Sequence, residues 1–252
     1  MKVTFLGTGT SQGVPVIGCR CEVCTSLDFR DKRLRTSIWV EVDDVKLVID
    51  TGPDFRQQML RLGARKLDAV LFTHSHKDHI AGLDDVRAFN FLQKKDMPVY
   101  GSRETLARIT EEFYYSFSKN PYPGVPRLTK VVIENKPFSI AGIEVVPISV
   151  MHHKMPVYGF RIGDFTYVTD ANYISEKERA KIRGSKVLVI NALQRESHLS
   201  HFTLPQALEV ISDLEVPRAY LTHISHRLGR HASVELPPHV SLGYDGLQIE
   251  IN

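Results

Sequence analysis

Four side chains able to grip a metal ion stand within six residues, in the stretch Leu71-Phe72-Thr73-His74-Ser75-His76-Lys77-Asp78-His79-Ile80-Ala81-Gly82. Imidazole and carboxylate suit zinc, manganese, iron and nickel. The cluster follows the apolar run Leu67-Asp68-Ala69-Val70-Leu71-Phe72, which has the length and residue types of a buried strand. At a strand end the chain is still extended, so His74 and His76, two apart, point the same way. Asp78 and His79, in the turn that follows, reach a second point nearby, and Gly82-Leu83-Asp84-Asp85-Val86 reads as a helix start. A loop of this kind can hold two ions side by side.

Further donors lie elsewhere. Cys19, Cys21 and Cys24 have C-x-C-x-x-C spacing. Thiolates this close can converge on one zinc ion, and a closed tetrahedral site then needs a fourth ligand, which a distant histidine can supply. Other candidates fall where strands should end. Asp50 closes a strand over 45–49 and can orient a ligand histidine through its ring N–H. His152 and His153 follow a strand over 143–149; on an extended chain the two point opposite ways, so only one can be a ligand. Asp170 closes a strand over 165–169, where a buried carboxylate without a partner would be costly. His223 closes a strand over 218–222. Gly7-Thr8-Gly9-Thr10-Ser11-Gln12-Gly13 has the glycines of a phosphate cradle, but no helical pattern follows it. We read it as a tight loop bringing backbone close to the metal centre.

The elements that must position these groups alternate along the chain. Strands are expected at 2–6, 36–42, 45–49, 98–101, 128–133, 143–149, 159–162, 165–169, 186–190, 218–222 and 246–251. Helices are expected at 55–62, 84–93, 104–117 and 205–214. The stretch 113–126 is aromatic and then rich in Pro and Gly, and reads as an exposed loop that either walls the substrate or packs ordinarily. A length of 252 residues allows one or two domains; with no repeat or linker, we expect one domain over 1–252. A net charge of +3 does not by itself argue for nucleic acid. The odd count of three cysteines argues against a disulfide framework and for a reducing compartment. Met1-Lys2-Val3-Thr4-Phe5 enters a strand without signal-peptide features, and no apolar run approaches a membrane span, so a cytoplasmic location is expected.

His74-Ser75-His76-Lys77-Asp78-His79 resembles the signature of the metallo-β-lactamase superfamily. That resemblance implies an α/β fold: a four-layer αβ/βα sandwich of two mixed β-sheets with helices on the outer faces. Nearly the whole chain is similar to the phosphodiesterase branch of the carbon–phosphorus lyase pathway, which opens 5-phosphoribosyl 1,2-cyclic phosphate. The similarity implies that His74, His76 and His152 bind one active-site ion, that Asp78, His79 and His223 bind a second, and that Asp170 bridges them. Zinc or manganese would fill both places. His152 is chosen by the run Lys154-Met155-Pro156-Val157-Tyr158-Gly159-Phe160, whereas the spacing of other branches would choose His153. His201, in H-x-x-H-x-[ST]-L, would act as general acid or hold phosphoryl oxygens, with Asp78 beside it, and His198 would support it or lie at the surface. His226 would complete a structural zinc site with Cys19, Cys21 and Cys24.

The implied function is a dinuclear phosphodiesterase that hydrolyses a small, even cyclic, phosphodiester by a metal-bridging hydroxide. Its partner would be that substrate and, as in related enzymes, a second copy of the chain, with neither membrane nor stable nucleic-acid partner. Rival expectations are a tRNA 3′-end endonuclease, a lactam- or thioester-directed metallohydrolase and a catalytically silent metal-binding protein. Against the first, the sequence lacks a long basic, Gly-rich arm to grip tRNA.

Overall fold

Each half of the chain opens with antiparallel strands and closes with parallel ones. The computed structural model describes residues 1–120 and 122–252. In the first half Lys2–Gly7 (β1), Ser37–Val42 (β2) and Val45–Ile49 (β3) pair antiparallel. Phe55–Leu62 (α1), Ala69–Leu71 (β4), Lys77–Ile80 (α2), Arg87–Gln93 (α3), Met97–Gly101 (β5), Arg103–Glu112 (α4) and Leu128–Val132 (β6) follow, and β3 to β6 pair parallel. The second half repeats the plan. Phe138–Ile140 (β7), Ile143–His152 (β8), Met155–Ile162 (β9) and Phe165–Val168 (β10) are antiparallel neighbours. Glu176–Ile182 (α5), Val187–Asn191 (β11), Leu204–Asp213 (α6), Arg218–Thr222 (β12) and Val240–Leu242 (β13) come next, with β10 to β13 parallel. Gln248–Glu250 (β14) returns to pair with β1. The sheets run β14-β1-β2-β3-β4-β5-β6 and β13-β12-β11-β10-β9-β8-β7.

Three cores make four layers. Phe5, Ile38, Leu47, Phe160, Phe165 and Tyr167 fill the space between the sheets. Phe55, Phe72, Leu83 and Ile109 join the first sheet to its helices, and Ile190, Ala207, Ile211 and Leu221 do so for the second. This is the α/β sandwich expected above. Each large apolar side chain so buried contributes roughly 2 kcal/mol, so these cores stabilise the frame on which the polar strand ends are displayed. Every residue of β11 is buried, as a central parallel strand demands. Local signals place the helix ends: Gly63 caps α1 at φ 67°, and Thr203 and Gln206 form a capping box on α6. Among the described residues, no helix is long and apolar enough to cross a membrane.

Three expectations need correction. Asp78 and His79 lie in the single helical turn α2 rather than in a turn before a helix at Gly82. The helix over 84–93 is a 3-10 turn, Leu83–Val86, followed by α3; Gly82 packs so closely on Gly52 that a Cβ there would lie 2.2 Å from its carbonyl oxygen. The helix over 104–117 stops at Glu112, because Phe113 turns inward and Tyr114–Phe117 forms a 3-10 turn tied down by Tyr115 Oη donating to Asp84 (2.7 Å). Tyr115 and Phe117 pack on the core beneath them while Tyr114 is exposed; within the stretch 113–126, Pro121 lies outside the described residues. Two edge strands, β7 and β13, were not anticipated.

Candidate metal centre

The ends of β3, β4, β8, β10 and β12 carry the polar cluster. Three residues at these ends, Asp50 (φ 66°), Asp170 (φ 56°) and His223 (φ 53°), take the left-handed conformation. Asp and His tolerate it better than most side chains, yet it costs on the order of 1 kcal/mol at each position. The surroundings hold them there. Asp50 N–H donates to Leu71 O, and the Asn191 side chain clasps both backbone groups of Ala171, beside Asp170 (2.8 and 2.9 Å). The glycine loop joins this rim: Thr8 O accepts from Ile224 N–H (2.8 Å) and Thr10 N–H donates to Ile224 O (3.2 Å). A Cβ on Gly7 would lie 2.0 Å from Arg35 O, so close backbone approach, not phosphate binding, accounts for that glycine.

Two neighbouring groups of ligand atoms result. His74, His76 and His152 form one, with ring centroids 4.6, 5.1 and 5.5 Å apart. Asp78, His79, Asp170 and His223 form the other. His79 Nε2 lies 3.2 Å from both Asp78 Oδ2 and Asp170 Oδ2, and His223 Nε2 lies 3.6 and 3.3 Å from Asp78 Oδ2 and Asp170 Oδ1. Two ligand atoms on one tetrahedral ion with bonds near 2.1 Å are about 3.4 Å apart. Asp170 also stands within reach of His152 and His201, so its carboxylate faces both groups. Of the two adjacent histidines, His152 is buried in the cluster, while His153 is exposed on the turn beyond β8.

Tautomers are set from behind. Asp50, fully buried, accepts from His79 Nδ1 (2.7 Å), Thr73 N–H (2.9 Å) and Thr73 Oγ1 (2.8 Å). The Thr73 hydroxyl, its proton given to Asp50, can only accept from His74 Nδ1 (3.0 Å). His152 Nδ1 donates to Ser200 O (2.9 Å). Each of the three histidines therefore presents Nε2 inward, and buried His74 Nε2, His79 Nε2 and His223 Nε2 have no hydrogen-bond partner among the described residues. Orphaned buried nitrogens of this kind call for a ligand.

The field agrees. Burial pushes the carboxyls of Asp78 and Asp170 up, yet the facing imidazoles of His79 and His223 hold both well below the usual range. Burial alone would push His79 down, but Asp170, Asp50 and Asp78 around it drive its imidazole well up. Burial lowers His74 and His76, keeping them neutral. Ionised carboxylates and the neutral imidazoles of His74 and His76 suit a divalent cation, and a bound cation would displace the proton that the surrounding carboxylates draw onto His79.

A separate cluster lies under the first loop. His226 Nδ1 is 3.3, 3.3 and 3.5 Å from the sulfurs of Cys19, Cys21 and Cys24. A tetrahedral zinc with bonds of about 2.3 Å to sulfur and about 2.0 Å to nitrogen sets such edges near 3.5 Å. The Cys24 amide, with help from His226, pulls Cys21 down to about 6, while burial pushes Cys24 up to about 11. Cys21 is therefore mostly thiolate at neutral pH, the form that binds a metal.

Beside the centre, His201 stacks on His223 (4.7 Å, 22°) and its Nδ1 lies 3.7 Å from Asp170. His198 is exposed, 5.0 Å away. Sequence reasoning passed over Thr73 and Asn191; a hydroxyl directly before the first histidine was the one visible signal for Thr73. A cavity of about 460 Å³ opens beside His74, lined by Ser75, Ser102, Glu104, Arg108 and Pro156 among others.

Residues 46–224 match the family model of the β-lactamase superfamily domain. The chain belongs to the metallo-β-lactamase superfamily. A solved structure described as a new diphosphatase from the PhnP family is 36% identical, covers 100% of this chain and 98% of its own, and superposes with a TM-score of 0.93, which places the chain in the PhnP-like branch of the superfamily. Zn²⁺-bound PqqB from Methylobacterium extorquens shares the fold, with a TM-score of 0.79 at 22% identity and complete coverage of both chains. An octanoyltransferase of Porphyromonas gingivalis is 42% identical over 257 residues, matching 100% of this chain but 52% of that protein. The chain thus spans about half the length of this relative. The family model and the diphosphatase relative together support a metal-dependent hydrolase, and the fold implies divalent metals.

Proposed function

We propose that the chain is a dinuclear phosphodiesterase acting on a small phosphodiester. The observation that carries this is the shared carboxylate of Asp170, which faces both ligand groups. His74, His76 and His152 would hold one divalent cation, Asp78, His79 and His223 the other, with zinc or manganese suiting the donors. When bound, such a pair supplies a nucleophile from water at neutral pH and clamps both oxygens of an in-line displacement. Asp78, kept ionised by His79 and His223, can also accept a hydrogen bond from the attacking water. Two dications against the carboxylates of Asp78 and Asp170 leave positive charge, which suits an anionic diester and its more negative transition state. The cavity beside His74 has the volume of a small-molecule site.

Burial, with His223 close by, pushes the His201 imidazole down to about 3, so it is neutral at pH 7 in the free protein. We therefore assign His201 as a hydrogen-bond donor to a phosphoryl or leaving oxygen rather than as a proton store. His201→Ala should lower kcat for bis(p-nitrophenyl) phosphate by on the order of 10²-fold, with metal content unchanged. An unaltered rate would remove His201 from the mechanism.

The diphosphatase relative supports phosphoryl chemistry. The match of this whole chain to about half of an octanoyltransferase supports a second reading, hydrolysis at a thioester carbonyl. Assay of the zinc- or manganese-loaded protein with bis(p-nitrophenyl) phosphate and with an octanoyl thioester separates them. Diester cleavage is expected, and turnover of the thioester alone would overturn the proposal.

A further inference from the structure

The loop carrying His201 is exposed from Arg195 to Leu199, yet His201 itself is buried against the metal cluster. Few bonds hold this loop in place. The carbonyls of the two residues before His201 are each gripped by a side chain: Ser200 O accepts from His152 Nδ1 (2.9 Å), and Leu199 O accepts from Asn172 Nδ2 (3.1 Å). The other end of the same Asn172 amide accepts from the backbone N–H of His153 (2.9 Å). His153 sits at φ 55°, a left-handed position on the turn directly after His152. Asn172 N–H donates to Met151 O (2.8 Å), fixing its own backbone beside β8. One half-buried side chain, two residues beyond Asp170, thus spans the turn behind one ligand and the loop behind His201.

We infer that Asn172 is a positioning residue for His201, its amide setting where the 195–201 loop delivers the imidazole relative to Asp170 and His152. The inference rests on the proposed function, in which His201 meets the substrate beside Asp170. Asn172 touches none of the reacting atoms in this account; it acts through His201, and a small misplacement of a reacting group is enough to cost rate.

The test is a double-mutant cycle on the metal-loaded protein with bis(p-nitrophenyl) phosphate, comparing wild type, N172A, H201A and N172A/H201A. N172A should lose roughly tenfold in kcat with KM within about twofold, retain its metals, and lose nothing further in the H201A background. Hydrogen exchange should quicken at residues 198–201 and stay unchanged in β8. A wild-type kcat for N172A, or the same tenfold loss repeated on top of H201A, overturns the positioning role while leaving the reading of His201 intact. An H201A protein as fast as wild type overturns both. Should N172A fold poorly, N172S carries the same cycle.

Discussion

Asp170→Asn should lower phosphodiester turnover by at least on the order of 10³-fold, more than loss of one transition-state donor usually costs. It should also cost at least one metal ion per chain. The substitution is nearly isosteric, and asparagine accepts the left-handed φ of 56° as well as aspartate does, so the backbone has no reason to move. What changes is charge. Asp170 faces His79 Nε2 at 3.2 Å, His223 Nε2 at 3.3 Å and His201 Nδ1 at 3.7 Å. An amide there offers one neutral oxygen where the carboxylate offers two charged ones, and its NH₂ opposes a cation. Kinetics and elemental analysis on the same preparation check both halves. D170N within tenfold of wild type at full metal content would mean that no shared carboxylate is needed.

Cys21→Ser should remove one zinc ion per chain and lower Tm by roughly 10 °C, since a structural zinc contributes several kcal/mol and each kcal/mol is worth about 2–4 °C at this size. The reason is the poverty of the loop it closes. Between β1 and β2 the regular structure is one short 3-10 turn, Phe29–Asp31. The local apolar cluster is Val14, Val23 and Cys24, with Val16, Cys19 and Cys21 at its edge, while Ile17 and Leu27 are fully exposed. So small a core cannot offset the entropy of ordering the loop, and a metal staple to His226 would do that work. Differential scanning calorimetry with zinc quantification reads the result; a variant with unchanged Tm and unchanged zinc would show that the four side chains meet without holding an ion.

The grouping of the donors was legible where they are dense in sequence. His74, His76, Asp78 and His79 are close neighbours on one strand end and one helical turn, so local geometry nearly determines their meeting. Cys19, Cys21 and Cys24 are as plain, though their histidine partner is some 200 residues away. Asp170, His152 and His223 were reached only by expecting ligands at strand ends together with the family resemblance. Strand periodicity does not encode the left-handed turn that aims Asp50, Asp170 and His223, since none of them is glycine. Thr73, Asn172 and Asn191 escaped because their roles are hydrogen bonds to distant backbone and side chains. The same holds for Arg33, which is buried while donating to Thr8 Oγ1 and Gly243 O, and for His231, which is half-buried 3.2 Å from Arg33 Nη2. Edge strands β7 and β13 are too short to show alternation.

Metal content of the purified chain tests the central claim most directly. Elemental analysis should find close to three divalent ions per chain, one of which survives chelation by virtue of its cysteine cage, matching the two inner groups and the Cys19, Cys21, Cys24 and His226 cluster. A value near one, unchanged after incubation with zinc or manganese, would contradict a paired metal centre at Asp170.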